Sequence, residues 1–262
     1  MNHHSQEKPI ISLGPWFDTP AGAYARDWEQ ARLNELTADI FGYHALQIGL
    51  PQIAGLEASR MPSKWLSDAA PGGKAGAPIT LTHDFSELPF ASSSLDLVVL
   101  PHVLEFAAEP HQVLREVERV LIPEGQVIIC GFNPASMWGL RQSMGRLTGA
   151  HFLPMNGEFI SVPRLKDWLK LLNMEVNRGH FGCYAPPCMT DKWLQRFRFM
   201  EKAGDCWWPY FGALYVVQAI KRVKGMRLVG PAWQSPVVGV RAGVPATNKM
   251  KNTLNNNTEQ HG

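Results

Sequence analysis

The sequence is poor in the features that mark the more specialised classes of protein. Four cysteines, Cys130, Cys183, Cys188 and Cys206, are scattered over 262 residues, too few for a disulfide framework, and Cys183 and Cys188 with His180 nearby resemble a zinc site only loosely. No metal site is expected. Cys130, inside the run Val127-Ile128-Ile129-Cys130, reads as a small core residue. Charge is scarce at 18% and nearly balanced, Lys plus Arg 25 against Asp plus Glu 23. The chain as a whole therefore has no field with which to steer nucleic acid or cling to an anionic surface, and any basic patch must be local. The most apolar runs, Leu95 to Leu104 and Val127 to Phe132, fall well short of the ~20 residues of a bilayer span, and Met1 to Gln6 lacks the basic and apolar blocks of a secretory signal. The expectation is a cytoplasmic chain without a transmembrane segment. A G-x-G-x-x-G fingerprint is also missing from Gly49 to Gly55, which sets a nicotinamide oxidoreductase aside.

What is present is a chain at 45% hydrophobic, long enough for one large domain that buries roughly three quarters of its unfolded surface. Thr19-Pro20 supplies an N-cap and a proline at the first helical position, so a helix is expected from Trp16 to Phe41, ended by Gly42. His44 to Ile48, stopped by Gly49 and Pro51, is bounded like a buried strand. Lys64-Trp65-Leu66 is a weak second strand and Ile79 to Thr82 a third that points at Asp84.

Asp96 to Leu100 is continuously apolar, as strands of a parallel sheet covered on both faces are. Glu109-Pro110 opens a helix in which Val113, Leu114, Val117, Val120 and Leu121 form one stripe, stopped by Pro123-Glu124-Gly125. Gln126 to Phe132 follows as a fifth strand. Strand, helix and strand fit a right-handed parallel crossover, so the fold class is α/β with a doubly wound, mostly parallel sheet. Further helices are expected at Met137 to Leu147 and Val162 to Leu172, and strands at Met174 to Asn177 and Ala213 to Ile220. Phe181 to Phe211, rich in aromatics without clear period, reads as an insertion packed over the sheet edge. The implied organisation is a disordered start over 1–15, a domain over 16–222, and a basic, polar, largely disordered tail over 223–262.

Ligands of open α/β sheets lie beyond the carboxyl ends of the strands. The residues there are Gly49-Leu50-Pro51, Ser67-Asp68, Asp84-Phe85, Leu100-Pro101-His102 and Gly131 to Pro134. Asp68 stands nineteen positions after Gly49, close to the ~20-residue offset at which dinucleotide folds place a ribose-binding acid.

The string from Asp84 to Val99, His102-Val103-Leu104-Glu105, and the helix Leu114 to Leu121 with its turn Pro123-Glu124-Gly125 resemble the class I S-adenosylmethionine-dependent methyltransferases. The likeness is to the type 11 branch and runs from about Ala45 to Phe132. Leu46 to Gly49, Gly131 to Pro134 and Trp138 to Arg141 look like the uncharacterised YafS-like subgroup. The resemblance implies a Rossmann-like fold and S-adenosyl-L-methionine as cofactor. It implies that the first loop, with Gln47, Gly49 and Leu50, wraps the cofactor's amino-acid end. It also implies that an acid after the second strand, matched by Asp68, takes the ribose hydroxyls, and that Asp84, with Phe85 beside it, takes the adenine. Leu100 and Pro101 complete the cofactor edge.

Where such enzymes carry an acid and a glycine-rich run, this chain has Gln47-Ile48-Gly49-Leu50-Pro51. Methyl transfer asks for alignment of the acceptor and removal of a proton, and His102, at the mouth of the fourth strand, is the expected catalytic base. The leading reading is a methyltransferase for a small, aromatic or lipophilic acceptor. The alternative is a non-catalytic descendant with a degraded loop, acting as a binding or regulatory module. Cys206 to Phe211 suits an acceptor pocket, a membrane surface or the core.

Overall fold

In the computed structural model residues 13–68, 81–82, 85, 87–148, 153, 157–187, 190–197 and 199–223 are described. Seven strands, β1 (His44–Ile48), β2 (Ser63–Asp68), β3 (Leu81–Thr82), β4 (Leu95–Pro101), β5 (Leu121–Phe132), β6 (Met174–Gly182) and β7 (Leu214–Lys221), form one sheet ordered β3-β2-β1-β4-β5-β7-β6. Strands β1 to β5 pair in parallel, while β7 runs antiparallel to both β5 and β6. The order reverses between β1 and β4, which places the switch point beside Ile48 and Pro101.

The helix α1 (Pro20–Ala38) is preceded by a 3-10 turn, Pro15–Asp18, so the single helix expected from Trp16 breaks at Thr19. The reason is local: the Thr19 side chain accepts from the Gly22 amide at 3.1 Å and Pro20 fixes the first helical φ. Downstream come α2 (Val103–Phe106), α3 (Pro110–Val120), α4 (Met137–Thr148) and α5 (Val162–Leu171). Pro123-Glu124-Gly125 does not stop α3. The helix ends at Val120, Leu121 already pairs with Leu95, and the turn with Glu124 at φ 65° lies within β5. The aromatic stretch expected to lack period holds two helices, α6 (Asp191–Arg196) and α7 (Phe199–Trp207), and a 3-10 turn at Pro209–Phe211, together the connection between β6 and β7.

The crossing from β1 to β2 shapes the site. Residues 49–62, which cross from β1 to β2, form turns rather than a helix. Their apolar side chains Ile53, Leu56 and Met61 are buried, and the crossing is pinned by α1, where Gln30 bonds both the N–H and the C=O of Ala54 at 2.8 Å. The core itself is a continuous cluster in which β4, β5 and β7 are almost wholly buried. The sequence-stretch assignments for 1–12, 69–80, 83–84, 86 and 224–262, Asp84 and the basic tail among them, fall outside the described residues.

Candidate active site

The turn after β1 is built around one side chain. Gly49 takes φ 73° and Leu50 φ 44°, left-handed values that cost a glycine little and a leucine more. The strain is held by Gln47, whose Nε2 donates toward the carbonyls of Gly49, Leu50 and Ile53 (3.2, 3.1 and 2.7 Å) and whose Oε1 accepts from the Gly55 amide at 2.9 Å. Gln47 is 3% exposed. Its amide thus organises the loop from inside, which explains how the chain closes this turn with Leu50, Pro51 and Ile53 in place of further glycines.

Beside it, Ile48 pairs with Ser67 and the Gly49 amide donates to the Ser67 carbonyl at 2.6 Å. That register sets Asp68, buried at the end of β2, next to the Gly49 turn. Leu100 and Pro101 are buried at the neighbouring end of β4, and Phe85 is buried in the core. A glycine turn flanked by a carboxylate at the switch point has the acceptor chemistry for the hydroxyls of a ribose diol.

His102 follows β4 with φ 56°, and its amide donates to the Cys130 carbonyl at 3.0 Å. The left-handed turn aims the imidazole inward, where it is fully buried. Nδ1 lies 2.8 Å from Glu105 Oε2 and Nε2 lies 2.8 Å from Glu29 Oε1 on α1. Glu105 in turn accepts the Phe132 amide at 2.7 Å through Oε1. Burial alone lowers the His102 pKa, but the Glu29 charge and the Glu105 hydrogen bond and charge outweigh it and push it up to about 10. Both ring nitrogens then donate. The Glu105 carboxyl is itself raised by burial, while Glu29 Oε2 has no hydrogen-bond partner among the described residues. Phe132 and Phe17 pack on the ring at centroid distances of 4.5 and 6.3 Å, and Trp16 packs edge-on against Phe132 and Trp138.

A cavity of about 360 Å³ opens at the same edge between α2, α3 and α5, lined by Leu104, Phe106, His111, Glu158, Arg164 and Trp168 among others. The Glu158 amide donates to the Glu105 carbonyl at 3.1 Å, so this wall is fastened to α2. The His111 ring packs tilted against Trp168 at 4.1 Å, and the Arg164 guanidinium lies over the same ring at 5.0 Å. A larger cavity of about 670 Å³ lies at the opposite, amino end, among Lys166, Met174 and Arg222, away from the switch point.

The sequence-predicted residues therefore divide. Gly49, Leu50, Asp68, Leu100 and Pro101 stand at the neighbouring ends of β1, β2 and β4, Phe85 is buried in the core, Gln47 lies beneath the turn, and His102 sits inside a carboxylate pair. Sequence reasoning missed Glu29, Glu158, Arg164 and Trp168. No local pattern links them to the strand ends, because their placement depends on how α1 and α5 pack.

The Methyltransferase domain family matches residues 40–129. Over 168 residues the chain is 36% identical to the uncharacterized protein YafS of Escherichia coli K12, spanning 64% of this chain and 67% of that one. It is also 36% identical over 95 residues to a malonyl-[acyl-carrier protein] O-methyltransferase of Laribacter hongkongensis, of which it covers 31%. Among solved structures, an S-adenosylmethionine-dependent methyltransferase of Thermotoga maritima superposes with TM-score 0.59 at 16% identity, over 84% of this chain and 99% of that one. The methyltransferase in complex with the Haloferax volcanii Trm112 activator gives 0.55 at 16% identity, over 81% and 97%. The chain belongs to the class I methyltransferase family. Within it, the chain stands in the type 11 branch alongside the YafS protein. Family and fold imply S-adenosylmethionine as methyl donor, and no helix among the described residues is long and apolar enough to cross a membrane.

Proposed function

We propose that this methyltransferase holds S-adenosylmethionine across the ends of β1, β2 and β3 and acts on a small, aromatic or lipophilic acceptor. The observation that carries the reading is the juxtaposition of the Gly49 turn with the buried Asp68 carboxylate at the switch point. In this reading Asp68 takes the ribose, Asp84 and Phe85 the adenine, and Leu100 and Pro101 form the floor. Gln47 serves the loop rather than the ligand. When bound, the cofactor supplies an activated methyl group, and the protein's part is to align the acceptor and accept a proton.

The acceptor's place in this reading is the cavity beside α2, whose Trp168 ring and apolar wall suit a flat or lipophilic group. His111 and Glu158, which line it, are better placed to take a proton than His102, whose two nitrogens already face carboxylates. Titration calorimetry with S-adenosylmethionine and its demethylated product is the test. Binding is expected, weakened about tenfold or more in Asp68→Asn through loss of a charged hydrogen bond. A folded protein that takes up neither compound refutes the reading.

That outcome would favour the non-catalytic module. One observation supports this second reading: the edge over β4 and β5 is filled by the protein's own Trp16, Phe17, His102 and Phe132, each 4% exposed or less.

A further inference from the structure

Thirteen large hydrophobic side chains are exposed among the described residues, and nine of them belong to α4 or to the α6–α7 connection. In the connection they are Trp193, Phe199, Trp207, Trp208, Tyr210 and Phe211, from 41% exposed at Trp208 to 76% at Trp207. Soluble monomers rarely display so many aromatics on one short segment.

The segment is not loose. Tyr184 anchors it from within, donating its hydroxyl to the Pro209 carbonyl at 2.7 Å and its amide to Glu201 at 2.8 Å. Gly204 lies so close to the Tyr184 ring that no Cβ fits. Phe197 bridges Trp193 and Phe199, with ring centroids 6.0 and 6.4 Å away, and Trp207 meets Trp208 edge-on. The helix α4 is tied to the chain entering the segment, since Trp138 Nε1 donates to the Ala185 carbonyl at 2.8 Å. It exposes Met137, Leu140 and Met144 at helical spacing.

The exposed charge beside the Trp193 ring is cationic. Over 190–211 the sequence has four cations and three acids, and one of those acids, Glu201, is turned inward onto Tyr24 and Tyr184. Lys192 and Arg196 are exposed, and the Arg196 guanidinium lies over the Trp193 ring at 5.9 Å. Aromatic rings beside long cationic stems match a bilayer's headgroup region, where the ring enters the interface and the cation meets lipid phosphate.

We propose that the α6–α7 connection is a docking surface for anionic lipid bilayers, which the chain binds peripherally and without crossing. The inference stands apart from the reading of the cofactor edge. The test uses the full chain and vesicles of three parts phosphatidylcholine to one part phosphatidylglycerol, with pure phosphatidylcholine in parallel. Co-sedimentation with the mixed vesicles is expected, weakened but not abolished by salt, with tryptophan emission shifted to the blue and quenched by brominated lipid.

The double variant Trp207→Ser/Tyr210→Ser, at exposed positions, is expected to lose about tenfold or more in partitioning through the lost apolar burial, with unchanged melting temperature and cofactor binding. Four outcomes overturn the proposal. They are failure to sediment with either vesicle, binding that salt removes completely, a double variant that binds as well as the parent, and self-association through these aromatics in a protein that ignores lipid.

Discussion

Replacing His102 by asparagine tests the central electrostatic claim, because asparagine tolerates the left-handed backbone at this position (φ 56°) while removing the cation between Glu29 and Glu105. The magnitude follows from what is left behind. Two charge-assisted hydrogen bonds of 2.8 Å disappear, each worth about 1.5–3 kcal/mol, and breaking a buried ion pair from one side costs about 3–5 kcal/mol. The expected destabilisation near pH 7 is therefore about 3–5 kcal/mol, a large part of a typical domain's 5–15 kcal/mol.

The pH dependence has a definite sign. The folded His102 pKa of about 10 exceeds the ordinary 6.5, so the stabilisation is fully present below about pH 6.5 and is lost as pH rises through 10. The native protein should lose stability across that window and the variant should not. The gap between them should narrow at the acid end of the range, where the Glu105 carboxyl, raised by burial, takes up a proton in the variant. Urea unfolding followed by circular dichroism at pH 5, 7 and 9 measures all three. A cost below about 1 kcal/mol at pH 7, together with a native protein indifferent to pH between 7 and 10, would refute the buried imidazolium.

The remaining expectations are as specific. Gln47→Glu restores the residue type common in the family yet sets a carboxylate against three carbonyl oxygens. It should destabilise by about 2–4 kcal/mol, and tighter cofactor binding at unchanged melting temperature would show that Gln47 faces the ligand after all. Arg119→Met removes donors to the Leu88 and Phe90 carbonyls at 3.0 and 2.9 Å, so the loop before β4 should become more sensitive to protease at a cost of about 1–2 kcal/mol. Gly22→Ala puts a methyl against the Trp16 carbonyl and should lower the melting temperature by several degrees, a loss of about 1–3 kcal/mol. Calorimetry on Asp68→Asn, set out above, completes the group.

The parallel half of the sheet was legible because its signals are local. His44–Ile48 is a short run between breakers, and Leu97 to Leu100 carries no polar interruption, so pattern and burial agree. The 3-10 turns and α6 were not legible, since such short elements leave no full helical period to read. The helix α2 escaped for the same reason. The role of Gln47 was obscured differently: its position relative to Gly49 matches the family, but the partners that define its task are backbone carbonyls, to which sequence is blind. Glu29 shows the largest gap. It lies 73 residues from His102, on a helix whose charges look like an ordinary solvated face, and only the packing of α1 on the strand ends turns it into a buried counter-charge.

That packing also constrains the chemistry. Phe17 and Glu29 fasten α1 and the turn before it to His102 at the end of β4, and Glu105 fastens α2 to the end of β5 through the Phe132 amide. The triad is therefore a three-way fastening, and the space directly above His102 is filled. In the proposed reading the cofactor lies to the β1 and β2 side of this fastening and the acceptor to the α2 and α5 side, with Leu100 and Pro101, buried at the end of β4, between them. Loosening the fastening with Glu29→Gln removes the charge most responsible for keeping His102 protonated. If methyl transfer occurs beside Leu100 and Pro101, that change should lower kcat with little effect on cofactor affinity, because it disturbs alignment there and leaves the Gly49 turn and Asp68 untouched. Equal loss of affinity and turnover would place the cofactor over the triad itself and reverse the arrangement.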